Sequence, residues 1–308
     1  MPSSDPALVF IVGPTGVGKS AVALRLAAEL SGEIISCDSM QVYRGFDIGT
    51  DKPPAADRAR VPHHLIDIVD AGSQFNAADF AARAVEAIAA IRGRGRRPFV
   101  VGGTGLYFKA LEDGLFPGPG RDESVRRALD AEARAAGPEA LWERLARVDP
   151  AYAAKTGKRD RVRIVRALEV FSLTGRPISE HFRGTESRLD DESPVKIGLN
   201  RPRAELYRRI EERVDRMFTL GLIEETRALL ARGVPDTSPP FKALGYKHVL
   251  RVLRGEISPG EAVALTKIDT RHYAKRQLTW FNKMTGVRWI DPERTDPLDM
   301  LTGGTEGT

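Results

Sequence analysis

Two clusters in this 308-residue chain hold residue types that could do chemistry. The first, Gly13-Pro14-Thr15-Gly16-Val17-Gly18-Lys19-Ser20, fits the phosphate-loop pattern G-x-x-x-x-G-K-[ST]. Glycines at those spacings let successive backbone N–H groups face one anion. The N-terminus of a following helix adds its positive end, Lys19 adds a point charge, and Ser20 offers a hydroxyl ligand for Mg²⁺. A phosphate or diphosphate is the ligand; what is done to it stays open, because NTPases, kinases and other diphosphate users share the pattern. The second cluster centres on Asp38, which follows Glu33-Ile34-Ile35-Ser36-Cys37 and has Ser39 and Gln41 beside it. A carboxylate at the C-terminal end of a strand faces the crevice where α/β proteins bind ligands. It reads as a Mg²⁺ carboxylate or a general base, with a loop or helix-cap role as the bland alternative. No apolar strand ends in the acidic pair of an ordinary nucleotide hydrolase. A further glycine turn, Gly102-Gly103-Thr104-Gly105, is expected to bring the Thr104 hydroxyl to the same mouth, although alone it reads equally well as a tight turn. His63-His64 lacks a third ligand at metal spacing, which argues against zinc.

These groups need a frame. Leu8-Val9-Phe10-Ile11-Val12 is a continuous apolar run of the kind found in buried parallel strands. An Ala- and Leu-rich stretch over residues 19–30 reads as a helix, which gives the phosphate loop the strand–loop–helix setting it requires, and a chance glycine turn is thereby disfavoured. Residues 33–37, 64–69 and 98–102 read as further strands, with a helix over 77–92 between the last two. Such alternation implies an α/β parallel sheet with right-handed crossovers. After Phe116-Pro117-Gly118-Pro119-Gly120, which no regular element survives, only helical periods appear, over 124–136, 138–148 and 161–174. Residues 184–194 are polar and irregular, and 195–200 read as a strand again. The expected architecture is a P-loop NTPase-like core over 1–118 and 195–308, interrupted by an all-helical insertion over 119–194. Further helices are expected over 204–220, 223–232 and 258–283, with a loop at 239–245 and a frayed tail at 303–308.

Composition narrows the class. Charged residues at 29% and apolar residues at 42% are ordinary for a soluble globular chain and exclude a disordered or fibrous protein. One cysteine, Cys37, excludes a disulfide framework and a cysteine-rich zinc site, and fits a reducing compartment. No stretch reaches the ~20 apolar residues of a membrane span, and the early apolar run is short and lacks a basic flank. A cytoplasmic monomer with no membrane partner is expected. Charge is uneven: residues 1–118 hold 12 Lys and Arg against 13 Asp and Glu, whereas 119–308 hold 35 against 29. A near-neutral first part joined to a basic second part points to chemistry in one place and polyanion binding in another.

Beside the phosphate loop stand longer strings. They are Asp38-Ser39-Met40-Gln41-Val42-Tyr43-Arg44 with Asp47-Ile48-Gly49-Thr50, Pro62-His63-His64-Leu65-Ile66-Asp67, and Gly102-Gly103-Thr104-Gly105-Leu106-Tyr107-Phe108-Lys109. Later come Arg166-Ala167-Leu168-Glu169-Val170 with Thr174-Gly175, Ala243-Leu244-Gly245-Tyr246, and Ala274-Lys275-Arg276-Gln277-Leu278-Thr279-Trp280. In this order, over residues 8–283, the chain resembles the bacterial tRNA dimethylallyltransferases. The D-S-x-Q-V-Y-R and H-H-L-I-D strings are far more specific than the phosphate loop.

The resemblance implies prenyl transfer. A dimethylallyl group would pass from its diphosphate to N6 of adenosine 37 in tRNAs reading codons that begin with U, releasing pyrophosphate with Mg²⁺. The missing hydrolase parts then make sense, since the loop Gly13–Ser20 holds a leaving diphosphate. Charge building on that leaving group is stabilised by loop amides, Lys19, Ser20 and Mg²⁺. Adenine N6 must lose a proton, and the resemblance assigns the base to Asp38. It also implies Thr15, Thr104 and Arg213 as diphosphate or prenyl-site contacts. The target base must leave its stack, with Asp38, Ser39, Met40 and Gln41 lining its pocket. Further tRNA contacts implied are Thr104, Arg126, Val162, Arg163, Ile164, Val165, Arg166, Lys242, Gly245, Tyr246, Lys247, Lys275, Arg276, Gln277 and Trp280.

Spacing adds support of its own. Arg159, Arg163 and Arg166 fall at i, i+4 and i+7, within a 12-residue stretch holding six basic residues and one acid. Lys267, Arg271 and Lys275 form a second stripe near Tyr273, Trp280 and Phe281; either stripe alone reads as a solvated helix face. The chain departs from the family where Val162 and His272 stand in places that usually hold Gln, which bears on tRNA contact and not on the chemistry. Three alternatives fit the phosphate loop: an adenylate prenyltransferase of the cytokinin type, a P-loop small-molecule kinase, and a non-catalytic tRNA-binding protein. The first has no need of a helical insertion or basic stripes, the second predicts phosphate transfer from ATP, and the third leaves the Lys19/Asp38 pair without a purpose.

Overall fold

The computed structural model describes residues 7–116, 118–137, 139–182, 185, 187–189 and 193–302. The expected helix start at Pro138, parts of 184–194, Pro117 of the Pro-Gly break and the tail 303–308 lie outside the described residues.

The continuous apolar run becomes β1 (Val9–Val12), every residue of it buried. It runs parallel between β4 (Arg97–Gly102) and β5 (Val195–Leu199), with Val9 opposite both Phe99 and Val195. β2 (Gly32–Cys37), β3 (His63–His64) and β6 (Val287–Ile290) complete an all-parallel sheet of order β3-β2-β4-β1-β5-β6. Strands buried on both faces need no alternation, so β1 and β4 read as solid apolar runs. α1 (Lys19–Glu29), α2 (Ala55–Arg60), α3 (Ala77–Arg92) and α4 (Gly105–Glu112) accompany the first four strands. α3 matches its expected limits because a capping box starts it: Asn76 Oδ1 accepts from Ala78 and Asp79 N–H while the Asp79 carboxylate accepts from Asn76 N–H.

The chain forms two compact units, one from Glu112–Arg188 and one from the sequence on either side of it. The smaller is helical: α5 (Glu123–Ala136), α6 (Ala140–Val148), α7 (Pro150–Ala153), α8 (Arg161–Thr174) and α9 (Ile178–His181). Its own core includes Leu129, Leu141, Leu145, Ile164 and Leu168. The unit begins seven residues before the expected limit of 119, at the last residue of α4. After β5 the larger unit continues as α10 (Arg203–Thr219), α11 (Leu222–Ala231), α12 (Leu244–Leu253), α13 (Pro259–Phe281) and α14 (Asp299–Thr302).

Three expectations need correction. The third strand stops after His64, because Leu65 (φ 61°) and Asp67 (φ 56°) take left-handed backbone that no strand continues. That conformation is held by ion pairs from Asp67 to Lys52 at 2.5 Å and to Arg58 at 2.9 Å. Residues 239–245 form a 3₁₀ turn, Pro239–Lys242, that leads into the unexpected helix α12. Gly245 sits in its first turn, where a Cβ would come within 2.8 Å of Leu222, so the glycine marks a close helix–helix approach and not a loop. β6 is also unexpected, because its residues are only half-buried and lack a strand pattern.

Candidate active site

The loop between β1 and α1 is built as a phosphate cradle. Gly13, Gly16 and Gly18 all carry positive φ (147°, 81° and 108°), so successive peptides turn their N–H groups to one side. Substitution is blocked as well: a Cβ on Gly13 would lie 2.6 Å from the Leu199 carbonyl oxygen. Lys19 folds back over the loop, its Nζ donating to the carbonyls of Gly13 (2.9 Å) and Pro14 (2.8 Å). Burial, and then the nearby Arg213 guanidinium, bring its pKa down to about 7 against the upward pull of Asp38 and Asp51.

Helices from the far end of the chain close around this loop. On α10, Arg213 Nη1 donates to the Thr15 hydroxyl at 2.6 Å and its Nε lies 3.3 Å from Asp51. One turn earlier Arg209 Nε donates to the Gly16 carbonyl at 3.0 Å, and Arg201 Nε donates to the Val17 carbonyl at 2.9 Å. From α13, Gln277 Oε1 accepts from Thr15 N–H at 2.8 Å while its Nε2 donates to the Gly103 carbonyl at 2.9 Å. Gln277 thus ties the phosphate loop to the second glycine turn.

Beside the loop lies a cavity of about 350 Å³. Thr15, Lys19, Ser20 and Arg213 line one side, and Asp38, Ser39, Met40 and Gln41 another. Val101, Val214, Met217 and Leu244 give it an apolar part, and Tyr273 and Arg276 of α13 complete it. A second cavity of about 350 Å³ meets the same loop from outside, between Gly16, Gly18 and Ser20 and the arginines Arg209, Arg213 and Arg216.

Asp38 both caps the loop that follows it and lines the cavity. One oxygen, Oδ1, accepts from Met40 N–H (2.8 Å) and Gln41 N–H (3.3 Å), which folds the loop after β2. Oδ2 has no protein donor among the described residues, and Asp38 lines the cavity. Thr104 does not line this cavity; its hydroxyl accepts from Ser39 N–H at 3.1 Å and keeps its own proton free to donate. Its backbone N–H donates to the Cys37 carbonyl, so the two loops are joined twice.

The cavity wall over residues 49–51 is clamped from α11 and α12. Glu225 accepts from the N–H groups of Asp47 (3.2 Å) and Ile48 (3.0 Å) and from the Tyr246 hydroxyl, which accepts in turn from Gly49 N–H at 3.2 Å. Burial and the Glu225 charge raise the Tyr246 phenol well above its usual pKa. Gln41 Nε2 donates to the carbonyls of Thr50 and Asp51, both at 3.1 Å, and Oε1 accepts from Ser36 Oγ at 2.8 Å.

Several residues expected at a tRNA surface are placed elsewhere. Tyr246 is buried, Ile164 and Val165 lie in the helical unit's core, and Gly245 and Gln277, though buried, line the cavity, with Gln277 also tying the two glycine turns. Lys267 and Arg271 pair with Asp215 (2.7 Å) and Glu211 (2.9 Å) of α10, so that basic stripe serves helix packing. Arg159 precedes α8, so it does not share a helical face with Arg163 and Arg166. Val162 is 82% exposed, Trp280 is 44% exposed, and Arg163, Lys242, Lys275 and Arg276 are exposed too. Lys247 is half-buried against Asp269 at 2.5 Å. Arg126 and Arg166 converge on buried Glu169.

Residues missed by sequence reasoning are Arg201, Arg209 and Asp51. Each lies in a highly charged stretch where no local signal separates a loop-facing side chain from a solvated one.

A family described as IPP transferase matches residues 41–284, and one described as isopentenyl transferase matches residues 6–66. A tRNA dimethylallyltransferase of Geobacter sulfurreducens is 51% identical over 97% of this chain and 96% of its own. Its counterpart from Geobacter metallireducens is 51% identical over 94% of each. Among solved structures, the full-length tRNA isopentenylpyrophosphate transferase of Bacillus halodurans superposes with TM-score 0.69 at 43% identity, covering 96% of this chain and 93% of the other. A eukaryotic dimethylallyltransferase acting on tRNA gives TM-score 0.75 at 29% identity, covering 97% and 77%.

Proposed function

The chain belongs to the IPP transferase family, and on that premise we propose how this cleft carries out the transfer. The protein is a tRNA dimethylallyltransferase. We read the acceptor as N6 of adenosine 37 in tRNAs that read codons beginning with U, and the donor as dimethylallyl diphosphate. The observation that carries this reading is a phosphate cradle and a singly capped Asp38 on the walls of one cavity.

The diphosphate lies on the loop Gly13–Ser20, where Lys19, Arg213 and Thr15 face it. As the allylic C–O bond breaks, negative charge grows on the leaving oxygens. Fixed donors already aimed there stabilise it without reorganising. The apolar side of the cavity, at Val101, Val214 and Met217, suits the hydrocarbon and keeps water from the allylic carbon. Adenine N6 attacks that carbon, and Asp38 Oδ2 takes the N6 proton while Oδ1 keeps its backbone bonds and holds the carboxylate in place.

Mg²⁺ belongs to this proposal. No group of three or more His, Cys, Asp or Glu among the described residues could hold a metal. Ser20, Asp38 and Asp51 line the cavity, and so few hard oxygen donors suit a cation that keeps waters and takes diphosphate oxygens. Bound there, it would neutralise charge on the diphosphate.

No helix among the described residues is long and apolar enough to cross a membrane. We read the protein as a cytoplasmic monomer, a setting that suits a single, buried free cysteine. The test of acceptor and site is a transfer assay with labelled dimethylallyl diphosphate and Mg²⁺. Unmodified tRNA, the same tRNA with guanosine at position 37, and free AMP are compared. Label in the adenosine tRNA alone supports the reading; label in AMP indicates a cytokinin-type enzyme.

A further inference from the structure

The helical unit holds a buried carboxylate with more positive charge around it than it can balance. Glu169 on α8 is fully buried. Its Oε1 accepts from Arg126 Nε (2.8 Å) and Asp122 N–H (2.9 Å). Its Oε2 accepts from Arg126 Nη2 (3.0 Å) and Arg166 Nη1 (2.7 Å). Burial opposes the charge on Glu169, yet the bonds from Arg126, Arg166 and the Asp122 N–H together outweigh it and bring its pKa to about 2. Two arginines from different helices therefore meet at one oxygen, and one positive charge is left over.

Of the neighbouring acids, Glu123 pairs with Arg121, Asp130 pairs with Arg161, and the Asp122 carboxylate accepts from Ser124 and Val125 N–H at the start of α5. Arg166 is braced further by Nη2 donating to the Pro119 carbonyl at 2.8 Å. Both arginines stay partly exposed (26% and 32%), and Arg126 Nη1 and Arg166 Nε donate to nothing among the described residues. Locked guanidinium groups with donors left over are pre-organised for a second anion.

We propose that Glu169 is a positioning residue that holds Arg126 and Arg166 as a fork for an RNA backbone phosphate. It rests on tRNA being the substrate. The competing explanation is that Glu169 only caps α5 through Asp122. Glu169→Gln separates the two, since the amide oxygen keeps the acceptor for Asp122 N–H but the change loses the charge and the two arginine bonds at Oε2.

The experiment measures tRNA Kd against KCl concentration, KM for tRNA and for dimethylallyl diphosphate, and Tm. It uses wild type, E169Q, R126Q/R166Q and the triple variant. The expected result is a tRNA Kd and KM weakened about tenfold in E169Q. The log–log salt slope should be shallower by about one, with no change in KM for the diphosphate. In the R126Q/R166Q background E169Q should add no further loss of tRNA binding and should raise Tm, because a lone buried carboxylate is removed. A lowered Tm with tRNA Kd and salt slope unmoved in E169Q overturns the proposal, as does a further tRNA loss in the triple variant. Wild-type protein that binds no tRNA would instead overturn the functional reading itself.

Discussion

Arg213 Nη1 donates to the Thr15 hydroxyl at 2.6 Å, which joins α10 to the phosphate loop across 198 residues of sequence. The arginine is thus placed by the loop before any substrate arrives, and the preceding α10 turn sets Arg209 on the Gly16 carbonyl. Loop and helix are thereby tied together at the cavity they both line.

Removing that arginine should cost transition-state stabilisation. Arg213→Gln is expected to lower kcat/KM for dimethylallyl diphosphate by about 10²–10³, as for other preorganised charge-stabilising donors. Tm should change little. Steady-state kinetics decide it, and a loss under threefold would make Arg213 a merely structural neighbour of Thr15.

Lys19 gives a pH signature. Its pKa of about 7 in the free protein means that it is mostly charged at pH 6 and mostly neutral at pH 8. A bound diphosphate raises that pKa, so binding at pH 8 should take up a proton and binding at pH 6 should not. Calorimetry in buffers of different ionisation enthalpy measures this directly. Observed heats that are equal in all buffers at pH 8, meaning no proton uptake, would contradict it.

Asp38 should separate into two functions. Asp38→Asn keeps an Oδ1 acceptor for Met40 N–H and removes only the base, so kcat should fall by about 10²–10⁴ with tRNA Kd nearly intact. Asp38→Ala loses the loop bonds as well and should lower Tm further. Equal loss of tRNA binding and turnover in D38N would assign Asp38 to recognition instead.

The Glu225–Tyr246 clamp makes a structural prediction. Tyr246→Phe leaves the Gly49 N–H without its acceptor and removes one donor from Glu225, costing about 1–3 kcal/mol. Thermal unfolding should register this as a drop of about 2–4 °C per kcal/mol. KM for tRNA should rise more than KM for the diphosphate, because the clamp holds the cavity wall that Gln41 also binds.

Much of this frame was legible because it depends on short-range rules. The phosphate loop is fixed by glycines that need positive φ, and β1 by an unbroken apolar run between two partners. α3 could be read to its ends from the capping box at Asn76 and Asp79. Long-range placement was harder. Gln277 lies among charged and exposed neighbours on α13, and nothing local says that its amide spans Thr15 and Gly103. Lys267 and Arg271 make a basic stripe in sequence, but the acids that neutralise them sit on α10. Tyr246 carries a family signature that looks like a surface motif, whereas its conformation makes it a buried clamp.

The most direct test counts products in one reaction. Wild-type protein, Mg²⁺, dimethylallyl diphosphate and unmodified tRNA should yield pyrophosphate and N6-prenylated adenosine in equal amounts. No ATP should be needed, and D38N should abolish both products together. Prenyl-free tRNA alongside ATP-dependent phosphate transfer would contradict the account and return the loop Gly13–Ser20 to a kinase.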